Sequence, residues 1–287
     1  MSVVEQMLQK YHLISNEDYT NALREVMQEI ALAGLYRGGF FDKAAFYGGT
    51  CLRVFHGLQR FSEDLDFSLL QASTDFSLEP YFRTIHDEFN AFGFAVEIVA
   101  KKKSVPSDIE SAFLKKTSSI YDVRISGSKM IKIKFEVDTF PPLGFTVQER
   151  LLIRPYSFYV KCFSLPDLFA GKMHALLFRQ WKNRVKGRDW YDFEWYVKQG
   201  VELNLDHFVE RALQSGNLEN DSWHKGDFLN LVQKKIQQLD VDSARHDVVR
   251  FIKNPSQLEI WSQEYFLQLL QMVKFVSVNL NEQGYSG

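Results

Sequence analysis

Apolar positions recur first with a helical period and then with a period of two. Between residues 15 and 35, Leu23, Val26, Met27 and Ile30 fall three and four apart, which places them on one helix face. Ser15 stands before that stretch as an N-cap, and Asp18 three residues later completes a capping-box variant. A short apolar run, Ala44 to Tyr47, then meets Gly48–Gly49–Thr50, and Leu52, Val54, Phe55 and Leu58 predict a short helix after it. Asp64 to Leu70 alternates polar and apolar residues, the pattern of a strand, and Leu78, Phe82, Ile85 and Phe89 form one stripe of a helix over 77–92. Strands are predicted over 94–101, 119–126 and 129–138, with Gly127–Ser128 as a hairpin signal between the last two. Pro141–Pro142–Leu143–Gly144 is expected to close this region, because neither proline can donate to a sheet ladder.

After about residue 155 helical patterns dominate. Ser164–Leu165–Pro166–Asp167 reads as a helix start: a serine cap, a proline tolerated in the first turn, and an acid at the positive end of the helix. Helices are predicted over 165–182, 188–199, 205–214, 224–239, 243–253 and 257–279. The expected fold class is α/β (α+β), with a mixed-sheet domain over residues 1–154 and a helical domain over 155–287. No internal repeat or low-complexity tract interrupts it.

Composition narrows the picture. A chain of 287 residues that is 45% hydrophobic, with 25 Phe, can fill one large core or two modest ones. Its formal net charge of −2 excludes a surface uniformly coated in positive charge, so any nucleic-acid contact must come from local patches. Cys51 and Cys162 make neither a metal-binding spacing nor a disulfide framework, which fits a reducing compartment. Met1 to Lys10 lacks the apolar region of a signal peptide, and no apolar run approaches the roughly 20 residues that span a bilayer. The expectation is a cytoplasmic protein without membrane contact.

Three segments carry candidate chemistry, and each has an ordinary reading beside it. Gly48–Gly49–Thr50 sits where a strand turns into a helix; two glycines let a backbone approach a ligand, and the helix start offers N–H groups to an anion, but most Gly-Gly turns are only turns. In Phe61–Ser62–Glu63–Asp64–Leu65–Asp66–Phe67, alternation puts Asp64 and Asp66 on one face, where like charges repel unless a cation such as Mg²⁺ lies between them. A solvated edge strand would look the same. In Lys132 to Asp138, residues Lys132, Lys134, Glu136 and Asp138 share a face, the common pattern of a half-buried strand; beside the Asp-x-Asp strand, one of these acids could complete a two-metal site.

Taken together, these segments resemble the polymerase-β-like nucleotidyltransferases: a Gly-Gly-Ser/Thr turn, a short helix, an Asp-x-Asp strand and a later acidic strand. More narrowly, Gly48–Gly49–Thr50–Cys51–Leu52–Arg53 and Arg60–Phe61–Ser62–Glu63–Asp64–Leu65–Asp66–Phe67 resemble the AbiEii/AbiGii toxin family, nucleotidyltransferases of bacterial abortive-infection, type IV toxin–antitoxin pairs. The family's third signature is similar to Lys172–Met173–His174–Ala175, then Arg179, Arg184 and Lys186, then Arg188–Asp189–Trp190–Tyr191–Asp192. The resemblance covers most of residues 44 to 197; the tail beyond about residue 200 carries no matching motif.

That resemblance implies a polymerase-β-like fold for the first domain and transfer of NMP from an NTP to RNA, at a tRNA acceptor end, with release of pyrophosphate. Asp64, Asp66 and Glu136 would hold Mg²⁺, with Glu136 preferred over Asp138 because the family's strand is similar to Lys-x-Glu. Gly48, Gly49 and Thr50 would hold the triphosphate, with Lys172 as a point charge and Asp192 as a further site residue. Arg53, Lys134, Arg179 and Arg188 are expected as nucleotide contacts. A cognate antitoxin acting without a stable complex is the expected partner. Lys182, Arg184, Lys186 and Arg188, with Trp181 and Trp190, would grip RNA or else form a solvated turn with the tryptophans in the core. Lys101–Lys103 and Lys115–Lys116 read as solvated surface, and His174 as a satisfied helix histidine. Two other functions remain open from the residues: transfer to a protein or small molecule, and an NTP-binding module without turnover. The presence of every expected carboxylate favours turnover.

Overall fold

The computed structural model describes residues 2–100, 118–126, 131–142, 144–179 and 185–276. The chain divides into two compact units: residues 1–164 with 250–254, and residues 165–249 with 255–287.

The first unit is built on a seven-stranded mixed sheet of order β3-β4-β5-β2-β1-β7-β6. The strands are β1 (Ala44–Tyr47), β2 (Asp64–Leu69), β3 (Ala95–Ala100), β4 (Ser118–Ser126), β5 (Ile131–Asp138), β6 (Val147–Leu152) and β7 (Phe158–Phe163). β2 pairs parallel to β5 and β1 parallel to β7; the other pairs are antiparallel. Helix α1 (Val3–Leu8) precedes α2 (Asn16–Arg37), and α3 (Gly48–His56) and α4 (Phe82–Ala91) follow. The Ser15–Asp18 capping box forms in both directions, with Asp18 N–H donating to Ser15 Oγ at 3.0 Å and Ser15 N–H to Asp18 at 2.9 Å. α2 is buried from Glu25 to Leu35 without a break, more completely than a one-face stripe predicts. Its Glu25 is held by Tyr11 Oη at 2.6 Å and Arg53 Nε at 2.8 Å, so charge is carried inside only with partners.

The sheet extends past the prolines expected to end it. β6 and β7 add two strands, so the first unit runs to Ser164 and takes in residues beyond the boundary at 154. Pro141 and Pro142 lie between strands, where no ladder donor is needed. Gly127–Ser128 falls outside the described residues.

The second unit holds α5 (Leu165–Phe178), α6 (Gly187–Lys198), α7 (Leu205–Gln214), α8 (Lys225–Gln237), α9 (Val241–Val248) and α10 (Gln263–Gln271). A small parallel ladder joins β8 (Glu202–Leu203) to β9 (Lys274–Phe275). The single helix expected over 257–279 is corrected by this arrangement. A 3-10 turn, Pro255–Leu258, comes first, and α10 begins afresh at the Ser262 cap. Arg245 accounts for the break: its guanidinium donates to the carbonyls of Leu258, Glu259 and Trp261, groups a continuous helix would use itself. Aromatic rings fill the core, including Phe169 stacked on Tyr196 at 4.4 Å and Trp190 against Phe266 at 5.0 Å. Buried Glu194 accepts from Trp261 Nε1 at 2.7 Å and Tyr265 Oη at 2.6 Å. Among the described residues no helix is long and apolar enough to cross a membrane.

Two glycines of this unit are expected to respond to alanine with opposite sign. A Cβ on Gly187 would lie 1.9 Å from the Ala244 carbonyl oxygen, so Gly187→Ala must push α6 from α9 and cost about 1–3 kcal/mol. A Cβ on Gly171, inside α5, meets nothing within 4 Å, and Gly171→Ala should gain about 0.5–1 kcal/mol. Urea unfolding of the two variants checks both signs.

Candidate active site

In the first unit, β1 runs directly into α3. Tyr47 is the N-cap and supplies no side-chain bond to the helix start, which leaves the first-turn amides without that competitor for an anion. Gly48 has φ +81°, and a Cβ there would lie 2.5 Å from Asp66 Oδ2, so the carboxylate rests directly on the glycine backbone. A Cβ on Gly49 would lie 2.6 Å from Arg60 Nη2. Gly48 is thus required by its positive φ, and a side chain at Gly49 would displace the end of the Arg60 side chain. Thr50 is fully buried, and its hydroxyl donates to the Asp64 carbonyl. That bond ties the start of α3 to the start of β2.

Asp64 and Asp66 are half-buried on one face of β2, while Leu65 and Phe67 are fully buried on the other. Parallel pairing sets Asp64 beside Lys134, Asp66 beside Glu136 and Ser68 beside Asp138. Glu136 therefore shares the rung of Asp66. Asp138 lies farther along and accepts from the Phe140 N–H at 3.1 Å, ending its strand. Lys134 Nζ donates to Glu136 Oε2 at 2.5 Å. Burial lowers the affinity of this amine for its proton, but Glu136, with Asp64 and Asp66, outweighs burial and holds Lys134 above the ordinary lysine value.

As placed, no three His, Cys, Asp or Glu side chains among the described residues form a ready-made metal cage. Lys134 is one cation these acids face. Their chemistry nevertheless fits Mg²⁺: all the donors are carboxylate oxygens, and the bare Gly48 backbone seats Asp66 beside a helix start suited to phosphate.

Arg53 is engaged within the fold. Its Nε donates to Glu25, its Nη1 donates to the carbonyls of Leu58 and Gln59 at 2.9 Å each, and the guanidinium lies 4.7 Å from the centre of the Phe61 ring. Arg60 heads the family-like Asp-x-Asp segment but was given no role from the sequence. It is 2% exposed beneath the Gly-Gly turn and donates to the Phe61 carbonyl at 3.1 Å. Its only sequence signal was a basic residue at the head of the Asp-x-Asp segment.

In the second unit, Lys172 of α5 reaches two acids of α6, Asp189 at 2.7 Å and Asp192 at 2.8 Å. The Asp192 side chain has no exposed surface, and that of Lys172 retains 14%. The Lys and Arg-Asp-x-x-Asp signatures are thus one buried ion triad clamping two helices. Arg179 lies just past the end of α5 and is exposed, and Arg188 is half-buried in the first turn of α6. Of the segment expected to grip RNA, Trp181, Lys182 and Arg184 fall outside the described residues. Trp190 is 3% exposed and belongs to the core. His174 Nε2 shares hydrogen bonds with Ser215 Oγ at 2.8 Å and Asn217 Oδ1 at 3.2 Å. Burial, then the charges of Arg211 and Arg179, push His174 down to about 3, so it is a neutral, satisfied histidine.

A sheet whose inner strand carries Asp-x-Asp beside a Gly-Gly turn that opens a helix is the architecture of a nucleotidyltransferase. The chain belongs to the family of the nucleotidyl transferase AbiEii toxin of type IV toxin–antitoxin systems, whose model matches residues 30–276. Similar solved structures include JHP933 from Helicobacter pylori, 17% identical with a TM-score of 0.49 and coverage of 91% of each chain. Another is MenT4, a nucleotidyltransferase toxin from Mycobacterium tuberculosis H37Rv, 16% identical with a TM-score of 0.46 and coverage of 95% of this chain and 98% of that one. Among curated proteins no relative matches the chain.

The ion triad makes a separable prediction about stability. Lys172→Met leaves two acids facing each other without their cation and should cost about 3–5 kcal/mol. Adding Asp189→Asn and Asp192→Asn should restore most of that loss. Thermal melting of the single and triple variants measures both.

Proposed function

We propose that this nucleotidyltransferase transfers NMP from an NTP to RNA, at a tRNA acceptor end, as the toxin of its pair, and that a cognate antitoxin opposes it without a stable complex. The observation that carries the chemical part is Asp66 resting on Gly48 with Glu136 opposite it on the same rung. Family membership supports the toxin role and the antitoxin; RNA as the acceptor is part of the proposal.

In this reading Asp64, Asp66 and Glu136 hold Mg²⁺, which when bound neutralises phosphate charge and polarises the α-phosphate. The Gly48 and Gly49 backbone, at the start of α3, cradles the triphosphate. The acceptor hydroxyl forms a bond to the α-phosphorus as the bond to the β-phosphate bridging oxygen breaks; pyrophosphate leaves, and the hydroxyl proton passes to the carboxylate cluster. Lys134 offsets the mutual repulsion of the acids before substrate arrives. Lys172 offers a phosphate a charge that Asp189 and Asp192 hold in a fixed position, and Asp192 acts through it.

Asp64→Asn and Asp66→Asn are each expected to abolish transfer while the protein stays folded. Glu136→Gln should cost far more activity than Asp138→Asn; the reverse order would move the third ligand to Asp138. Incorporation of each labelled NTP into total RNA, protein or small molecules, with and without Mg²⁺, reads all four variants and also identifies the acceptor class.

Lys134 provides a readout that does not need turnover. Lys134→Gln removes the resident counter-ion, so its melting temperature should fall in EDTA. Mg²⁺ should then raise it by more than it raises wild type, since the Lys134 ammonium no longer competes for the acids. Equal Mg²⁺ shifts in the two proteins would remove Lys134 from the cation site.

A further inference from the structure

The second unit contains a cavity of about 460 Å³ to which the reaction above assigns no ligand, although one lining residue, Asp189, also holds Lys172. Its volume lies in the range of small-ligand sites, roughly 300–1,000 Å³. The end of α5, the start of α6 and the end of α8 wall it in. Three cations, Arg179, Lys186 and Lys235, line it against one carboxylate, Asp189, and that acid is already engaged by Lys172 at 2.7 Å. Among the described lining residues, cations outnumber carboxylates. The same field is felt next door, where Arg179 helps to keep buried His174 neutral. Lys186 is the N-cap of α6 and gives it no side-chain cap, so the first turn of that helix adds to the attraction for an anion. Asn217 and Gln238 complete the polar lining with amide side chains, groups that both donate and accept, as the edges of a base require.

We infer that this cavity is a binding site for a phosphate-bearing nucleotide unit, with Arg179, Lys186 and Lys235 as its cationic lining and Asn217 and Gln238 as its polar contacts. The inference rests on the nucleotidyltransferase reading for its choice of ligand. The same chemistry can come from two sources: a nucleotide of the polynucleotide acceptor, or a free nucleoside triphosphate. It brings into function the part of the chain beyond residue 200, where no motif was legible.

α8 supplies an internal control. Lys234 and Lys235 are adjacent, and both lie in its last turn, where any cation complements the negative helix end. Only Lys235 lines the cavity; Lys234 faces a separate surface depression beside Asn220 and Asp227. A general effect of charge or of the helix dipole must therefore strike both variants alike, and a site must strike one.

The experiment compares Lys235→Glu with Lys234→Glu in the full-length protein, with Lys235→Gln as a milder second variant should the reversal not fold. Equilibrium binding is measured in EDTA across a salt series, with a labelled short single-stranded oligoribonucleotide in one arm and each of the four nucleoside triphosphates in the other. Lys235→Glu should weaken binding about tenfold and flatten the salt dependence by about one phosphate contact, while Lys234→Glu stays within about twofold of wild type. Loss in the oligonucleotide arm alone makes the ligand part of the acceptor. Loss in the mononucleotide arm assigns it to a free nucleotide. Equal behaviour of the two variants in both arms overturns the site. Because no turnover is read, the outcome is independent of the transfer assay: absence of transfer with a clear Lys234–Lys235 contrast refutes the catalytic reading and leaves the cavity standing, and the converse refutes only the cavity.

Discussion

Mutual repulsion among Asp64, Asp66 and Glu136 is the constraint to which the first unit is built. Alternation along β2 puts two acids on one face, and parallel pairing with β5 sets a third beside them. Such an arrangement persists only if something holds the backbone and something answers the charge. The Thr50 hydroxyl ties α3 to the Asp64 carbonyl, and the bare Gly48 backbone lets Asp66 close against it. Lys134 answers the charge from the same strand that delivers Glu136. The residues around the acids thus serve position first, and the chemistry follows from that position.

The second unit meets the same problem by another route. Its acids, Asp189, Asp192 and Glu194, are withdrawn from water and paired inside: two with Lys172, the third with Trp261, Tyr265 and Lys198. Burial makes each pairing obligatory, since an uncompensated charge in such surroundings is severely penalised. Family signature residues here are also fold residues, and a loss of activity on mutating them is not by itself evidence of contact with substrate. Melting data on the same variants separate the two roles.

The division between these units has a chemical meaning in the reading proposed. The strands carry the acids that handle phosphate and metal, where a rigid sheet fixes spacing to within a residue. The helices carry a cavity whose cations come from three separate stretches of chain, with a volume suited to a nucleotide and a lining suited to phosphate. Ligand chemistry is distributed accordingly, with carboxylates on the sheet and cations among the helices.

Local order was legible in the residues themselves. Periodicity placed α2, β2, β5 and α7 closely, because each buries a face whose spacing is set by its own backbone geometry. The Ser15 box, the Gly-Gly turn and the shared face of Asp64 and Asp66 were readable for the same reason: each depends on residues a few positions apart. What depended on distant partners was not readable. β6 and β7 form a local antiparallel pair that joins the sheet only where β7 meets the distant β1, and the break before α10 was missed because its cause, Arg245, lies well upstream. The duties of individual side chains changed for that reason too. Thr50 and Arg53 turned inward, Arg60 emerged beneath the turn, and Lys172 found two acids on another helix. A side chain's type and strand parity are set by the sequence alone, but its partner is set by which backbone arrives opposite it, and only the tertiary structure decides that.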